Sequence, residues 1–162
     1  MLSKKIQMIL RLFFIAFLTV GCAKTDENTK FVAKYKNEDF TKFKGYSFFV
    51  RGFEQSNPIV FVYTKNCKQP LVLTTNAVLN KILKTSRHLQ IDSCTIDTKL
   101  IEVLVIDFLK YNINDLEVDE QLNVFVKPTF FEGKTKLIRF SKPETRKGTW
   151  KKIDDNWYLF QD

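Results

Sequence analysis

Leu100-Ile101-Glu102-Val103-Leu104-Val105-Ile106-Asp107-Phe108-Leu109 is the stretch on which the fold turns. Eight of its ten residues are apolar, so periodicity alone does not separate a buried helix from a strand covered on both faces. Its β-branched content favours a central strand. Just upstream, Thr75–Leu89 carries Val78, Leu79, Ile82, Leu83 and Leu89 at helical spacing, with Thr74 or Thr75 placed to cap its start. Lys81, Lys84 and Arg87 then fall on or near the polar side of that expected helix, as a basic face that could meet an acidic partner.

Further out, Gly45–Phe53 alternates Tyr46, Phe48 and Val50, a strand signature. Ile59–Tyr63 is β-branched and aromatic, and the Glu54–Pro58 turn cluster between the two suggests a hairpin. Pro70–Leu73 reads as another short strand, and Lys30–Phe43 as a helix or helical turns, with Asn37 able to cap. After a polar loop at Asn112–Glu120, strands are expected at Leu122–Phe130, Lys136–Ser141, Gly148–Ile153 and Trp157–Phe160. Asp154-Asp155-Asn156 supplies the tight turn between the last two. The fold class is α+β, a curved antiparallel sheet packed against one or two helices. The ending Trp150-Lys151-Lys152-Ile153-Asp154-Asp155-Asn156-Trp157-Tyr158 resembles the final hairpin of NTF2-like and cystatin-like export domains. That likeness implies a curved sheet and assigns no functional residue.

The other end of the chain reads as an address. Lys4, Lys5 and Arg11 precede Leu12–Val20, nine uncharged and mostly apolar residues. A permanent span needs about 20, so this length suits a secretion signal. Leu18-Thr19-Val20-Gly21-Cys22 resembles the lipobox of bacterial lipoproteins, with Thr19 where the family usually has Leu. The resemblance implies cleavage between Gly21 and Cys22 and a lipid on the Cys22 thiol. The expected domains are a signal peptide at 1–21, a lipidated N-terminus and flexible tether at 22–30, and one α+β domain at 31–162. By the same resemblance, Ala23 rather than Asp after the cysteine implies the outer membrane, if the cell has one, with the periplasmic side favoured over surface display.

The whole chain of 162 residues has a formal charge of +8, part of which belongs to the signal. The remaining surplus is mild. It permits attraction to anionic headgroups or polymers but is no nucleic-acid footprint. Sixteen Phe with only five Gly and four Pro point to a compact domain, and no repeat is visible.

Cys67 and Cys94 are the cysteines left after lipidation, and in an oxidising compartment such a pair reads as a disulfide. Its loop of about 28 residues is worth roughly 3.5 kcal/mol in chain entropy. It would staple both ends of the Thr75–Leu89 helix to the sheet. His88 is the single histidine. A Cys–His nucleophile would compete with the disulfide for sulfur, and a zinc site from these three residues lacks a fourth ligand. Asp115, Glu117, Asp119 and Glu120 lack the Gly and ligand order of a calcium loop and read as a solvated turn. Asp107 and Glu102, set in an apolar run, read as a structural ion pair or a sheet-end position rather than as catalytic. No Gly-rich phosphate loop, G-x-S-x-G or H-E-x-x-H motif is present.

The expectation is therefore a membrane-anchored cell-envelope lipoprotein that binds a protein or polymer, without cofactor, metal or enzymatic activity. A small-ligand or lipid carrier, an immunity or inhibitor lipoprotein and a carboxylate-based enzyme are the alternatives.

Overall fold

The computed structural model describes residues 27–76, 78–87, 94–128, 136–142 and 150–160. Helix α1 (Glu27–Tyr35) and a 3-10 turn (Thr41–Phe43) lead into β1 (Tyr46–Glu54), β2 (Asn57–Thr64), β3 (Leu71–Asn76) and β4 (Lys81–Arg87). Helix α2 (Thr98–Leu109) follows, then β5 (Asp115–Val118), β6 (Val124–Lys127), β7 (Lys136–Arg139), β8 (Trp150–Asp154) and β9 (Trp157–Phe160). The strands form one open sheet in the order β4-β3-β2-β1-β5-β6-β7-β9-β8, every neighbouring pair antiparallel. The expected α+β antiparallel architecture is present.

The Leu100–Leu109 run is a helix, not the expected central strand. Asp97 caps it, its carboxylate accepting from the Leu100 N–H at 3.1 Å. Ile101, Leu104, Val105 and Phe108 are buried at the i, i+3, i+4, i+7 spacing of one helix face. Leu100 and Val103 face outward, 45% and 61% exposed. Those outward apolar residues erased the amphipathic contrast that would have marked a helix.

Thr75–Leu89 is corrected the other way: its described part is a β-hairpin. β3 pairs with β4 from Leu71↔Arg87 to Asn76↔Lys81. Asn76 Oδ1 accepts from the Leu79 N–H at 2.8 Å, and Asn80 takes the left-handed φ of 48° that Asn tolerates. Thr75 caps no helix. It is fully buried, and its hydroxyl donates to the Pro58 carbonyl at 3.3 Å. Leu89 lies outside the described residues.

Two smaller corrections follow. Residues 27–30 of the expected tether belong to α1. The expected loop at Asn112–Glu120 contains β5, the strand that pairs with β1 near the middle of the sheet. In the β1–β2 hairpin, Gln55 and Ser56 both have positive φ (49° and 69°), as a two-residue turn matching the strand twist requires.

Both helices bury their apolar side in one cluster on one sheet face. Phe31 and Val32 of α1 and Ile101, Val105 and Phe108 of α2 meet Phe48, Val60, Leu73, Leu116, Val126, Leu137 and Trp157 there. A smaller cluster of Ile138, Phe140 and Tyr158, flanked by Phe125 and Trp150, occupies the reverse face. The sheet edges are β4 and β8, and Lys81, Lys84, Lys151 and Lys152 on them discourage edge-to-edge pairing.

Cys67 and Cys94 stand at disulfide distance, with S–S 2.07 Å and Cα atoms 5.4 Å apart. The pair joins the chain leaving β2 to the approach of α2, so the loop it closes holds the β3–β4 hairpin rather than a helix. Among the described residues, no helix is long and apolar enough to cross a membrane.

Candidate functional site: the reverse face of the sheet

Side chains alternate across a strand, so each strand that sends one set into the core presents the other set on the reverse face. Among the described residues neither helix packs there. The register aligns two rows across the middle strands. One runs Tyr63–Ser47–Glu117–Phe125–Ile138–Tyr158 and the other Phe61–Phe49–Asp115–Lys127.

Ser47, Phe49, Tyr63, Asp115, Phe125 and Lys136 line a groove of about 230 Å³ between these rows. A second hollow of about 320 Å³ shares Ser47, Tyr63 and Glu117 and continues to Lys65 and Glu120. Tyr63 is 41% exposed where the two meet. Arg51, at the β1 bulge, lies over the Phe61 ring at 5.5 Å. The floor is aromatic and the walls carry both signs of charge.

Asp115 is the electrostatically perturbed group of the groove. Partial burial raises its pKa above the ordinary carboxylate value. The nearby Lys127 and Lys136 charges and a 2.7 Å hydrogen bond from Asn114 Nδ2 offset part of that rise.

The residues singled out by sequence scatter. Lys81 and Lys84 are not on a helix face; they lie on edge strand β4, opposite Asn76 and Thr74, with the reverse-face set. Arg87 sits opposite Leu71 in register. Asp107 lies on α2, paired with Lys42 at 3.0 Å and Lys110 at 2.5 Å. The Lys110 hydrogen bond is the main cause of its lowered pKa. Glu102 accepts from the Thr85 hydroxyl at 2.9 Å. Asp119 accepts from the Gln121 and Asn123 backbone N–H groups and so shapes the β5–β6 turn, while Glu120 pairs with Lys44 at 3.7 Å. The acidic run therefore does not converge. Among the described residues no three His, Cys, Asp or Glu side chains are grouped to hold a metal ion. Gly21, Cys22 and His88 lie outside the described residues.

A larger cavity of about 390 Å³ opens at one end of the sheet, beside Lys36, Arg139, Asp154 and Trp157. Arg139 there works as a brace. It donates to the Glu38 carbonyl at 2.7 Å and lies over the Phe40 and Trp157 rings at 4.9 and 5.7 Å.

Phe49, Tyr63, Phe125, Lys127 and Lys136 were not singled out from sequence. Their signal was the outward parity of strands whose inward parity is buried. No family model, curated protein or solved structure matches this chain.

Proposed function

We propose that the chain is a cell-envelope lipoprotein, anchored through Cys22, whose helix-free sheet face receives an acidic protein partner without chemical turnover. The observation that carries the reading is the aromatic, charge-walled groove on a sheet face that, among the described residues, neither helix covers. Tyr63, Phe49 and Phe125 offer rigid aromatic area, the side-chain type that anchors protein interfaces. Around the groove the reverse face carries Arg51, Lys127 and Lys136 against Asp115 and Glu117, a surplus that favours an acidic surface. Two carboxylates in the middle of the face speak against a uniform polyanion and for a protein that supplies both signs. The lipobox-like Leu18–Cys22 supports the anchor. An immunity or inhibitor lipoprotein is one member of this class.

The carrier alternative is less well supported, because the space between helices and sheet is filled. Phe48 stacks on Phe108 at 5.3 Å between ring centres, and Val60, Leu73, Ile101 and Phe108 have no exposure. An enzyme built on Asp107 and Glu102 is disfavoured because each is already engaged by a different neighbour.

The test is photocrosslinking in the native cell, with the crosslinker placed at Tyr63 or at the exposed Val103 on the opposite, helical side. The expected result is a protein adduct from position 63 alone, lost in the Lys127→Glu/Lys136→Glu variant. Equal adducts from both positions, or adducts indifferent to the charge reversal, reject the face. Intact mass of the same protein reports the anchor: an unmodified Cys22 rejects that part separately.

A further inference from the structure

The topology places two hairpin tips side by side at one end of the sheet. β1 and β3 run in the same direction, two strands apart, and each turns back at that end. The Thr75 hydroxyl on the Pro58 carbonyl ties the two hairpins together there. This end carries an unusual set of exposed apolar side chains. Val78 is 90% exposed and Leu79 68% in the β3–β4 turn, and Leu83 is 50% exposed further along β4. A single exposed Leu is ordinary, but two successive apolar side chains at the head of a hairpin, with a third on the strand behind them, mark a surface for something apolar. Lys81 and Lys84 follow them on β4, and Glu54 is the one carboxylate in these two tips.

Apolar residues at a tip, with cations set slightly behind them, match the layering of a bilayer surface. Apolar side chains reach the acyl boundary while lysines stay at the level of anionic headgroups. A protein partner would need a concave seat for two projecting hairpins; a bilayer accepts the shape as it stands. We infer that the paired tips, led by Val78 and Leu79 with Lys81 and Lys84, insert into the interface of an anionic membrane. They form a second membrane contact, distinct from the reverse-face groove and from any lipid on Cys22. The hairpin hydrogen bonds stay intact on insertion, so the contact needs no refolding.

The experiment places a tryptophan at the tip (Val78→Trp) or at the opposite end of the sheet, on the β5–β6 turn (Gln121→Trp). Each full chain is mixed with phosphatidylglycerol or phosphatidylcholine vesicles carrying brominated acyl chains. The native Trp150 and Trp157 give a common background. The expected result is quenching of Val78→Trp in phosphatidylglycerol vesicles, several-fold above both Gln121→Trp and the unmodified chain. Binding of the Lys81→Glu/Lys84→Glu variant to the same vesicles is expected to fall about tenfold or more, and rising salt should weaken binding of the native chain. Absence of tip-specific quenching, quenching equal in neutral vesicles, or an unchanged affinity of the charge-reversed variant overturns the inference. An anchor held by lipid alone gives vesicle binding without tip quenching, so failure here is distinguishable from failure of the lipoprotein reading.

Discussion

Asp115 carries a testable electrostatic cost. Burial raises its folded pKa above the ordinary carboxylate value, so the folded chain keeps the proton over a pH range in which the unfolded chain has released it. The folded state then binds more protons, and stability falls as pH rises through that range. Asp115→Asn is expected to raise the Tm at neutral pH. The gain should vanish below about pH 4, where both states of the native carboxyl are protonated. A Tm difference independent of pH would show that the substitution acts through packing instead. Lys127 lies directly opposite Asp115 in the register and Lys136 lines the same groove, so on the proposed binding face this carboxylate would meet a partner's cation. Charge reversal of the two lysines and neutralisation of Asp115 should therefore change binding while leaving the core intact.

At the scale of elements, α2 makes the sharpest claim. Ile101 is fully buried and Val103, two residues on, is 61% exposed. In the expected strand those two would share a face; in the helix they diverge by about 200°. Ile101→Ala should cost about 2–5 kcal/mol in urea unfolding, and Val103→Ala well under 1 kcal/mol. Comparable losses at both would restore the strand.

The same element shows how much was legible. The β1–β2 and β8–β9 hairpins could be read because Phe48 and Val50 alternate with more exposed neighbours and Asp154-Asp155-Asn156 marks a tight turn. The helix could not, because Leu100 and Val103 are apolar without being buried. In the β3–β4 hairpin the error had the mirror cause. Val78, Leu79 and Leu83 fit a helical stripe but have no core to face, and only Asn76 and Asn80 betrayed the turn. The reverse-face groove was invisible from sequence because it joins Tyr63, Ser47, Glu117 and Phe125 from four strands. Their adjacency is created by register, not by spacing along the chain.

For the whole molecule, the Cys67–Cys94 link ties the edge half of the sheet to α2. Closing about 27 residues, it is expected to contribute roughly 3–3.5 kcal/mol, so the Cys67→Ala/Cys94→Ala variant should unfold at lower urea, with a slope equal or steeper because its unfolded chain is less constrained. Equal stability with and without the link would show that the two halves hold by packing alone.

The start of α1 at Glu27 has a consequence for how a partner is found. On the proposed anchor, five residue steps separate Cys22 from the helix, at most about 18 Å of chain. A leash that short keeps the domain at the level of the headgroups and gives it no reach across the compartment. Encounters then become a search in two dimensions. A partner confined to the same membrane meets the groove through lateral diffusion, at an effective concentration set by area rather than volume. A soluble partner must instead descend to the surface, past whatever charge the lipids display.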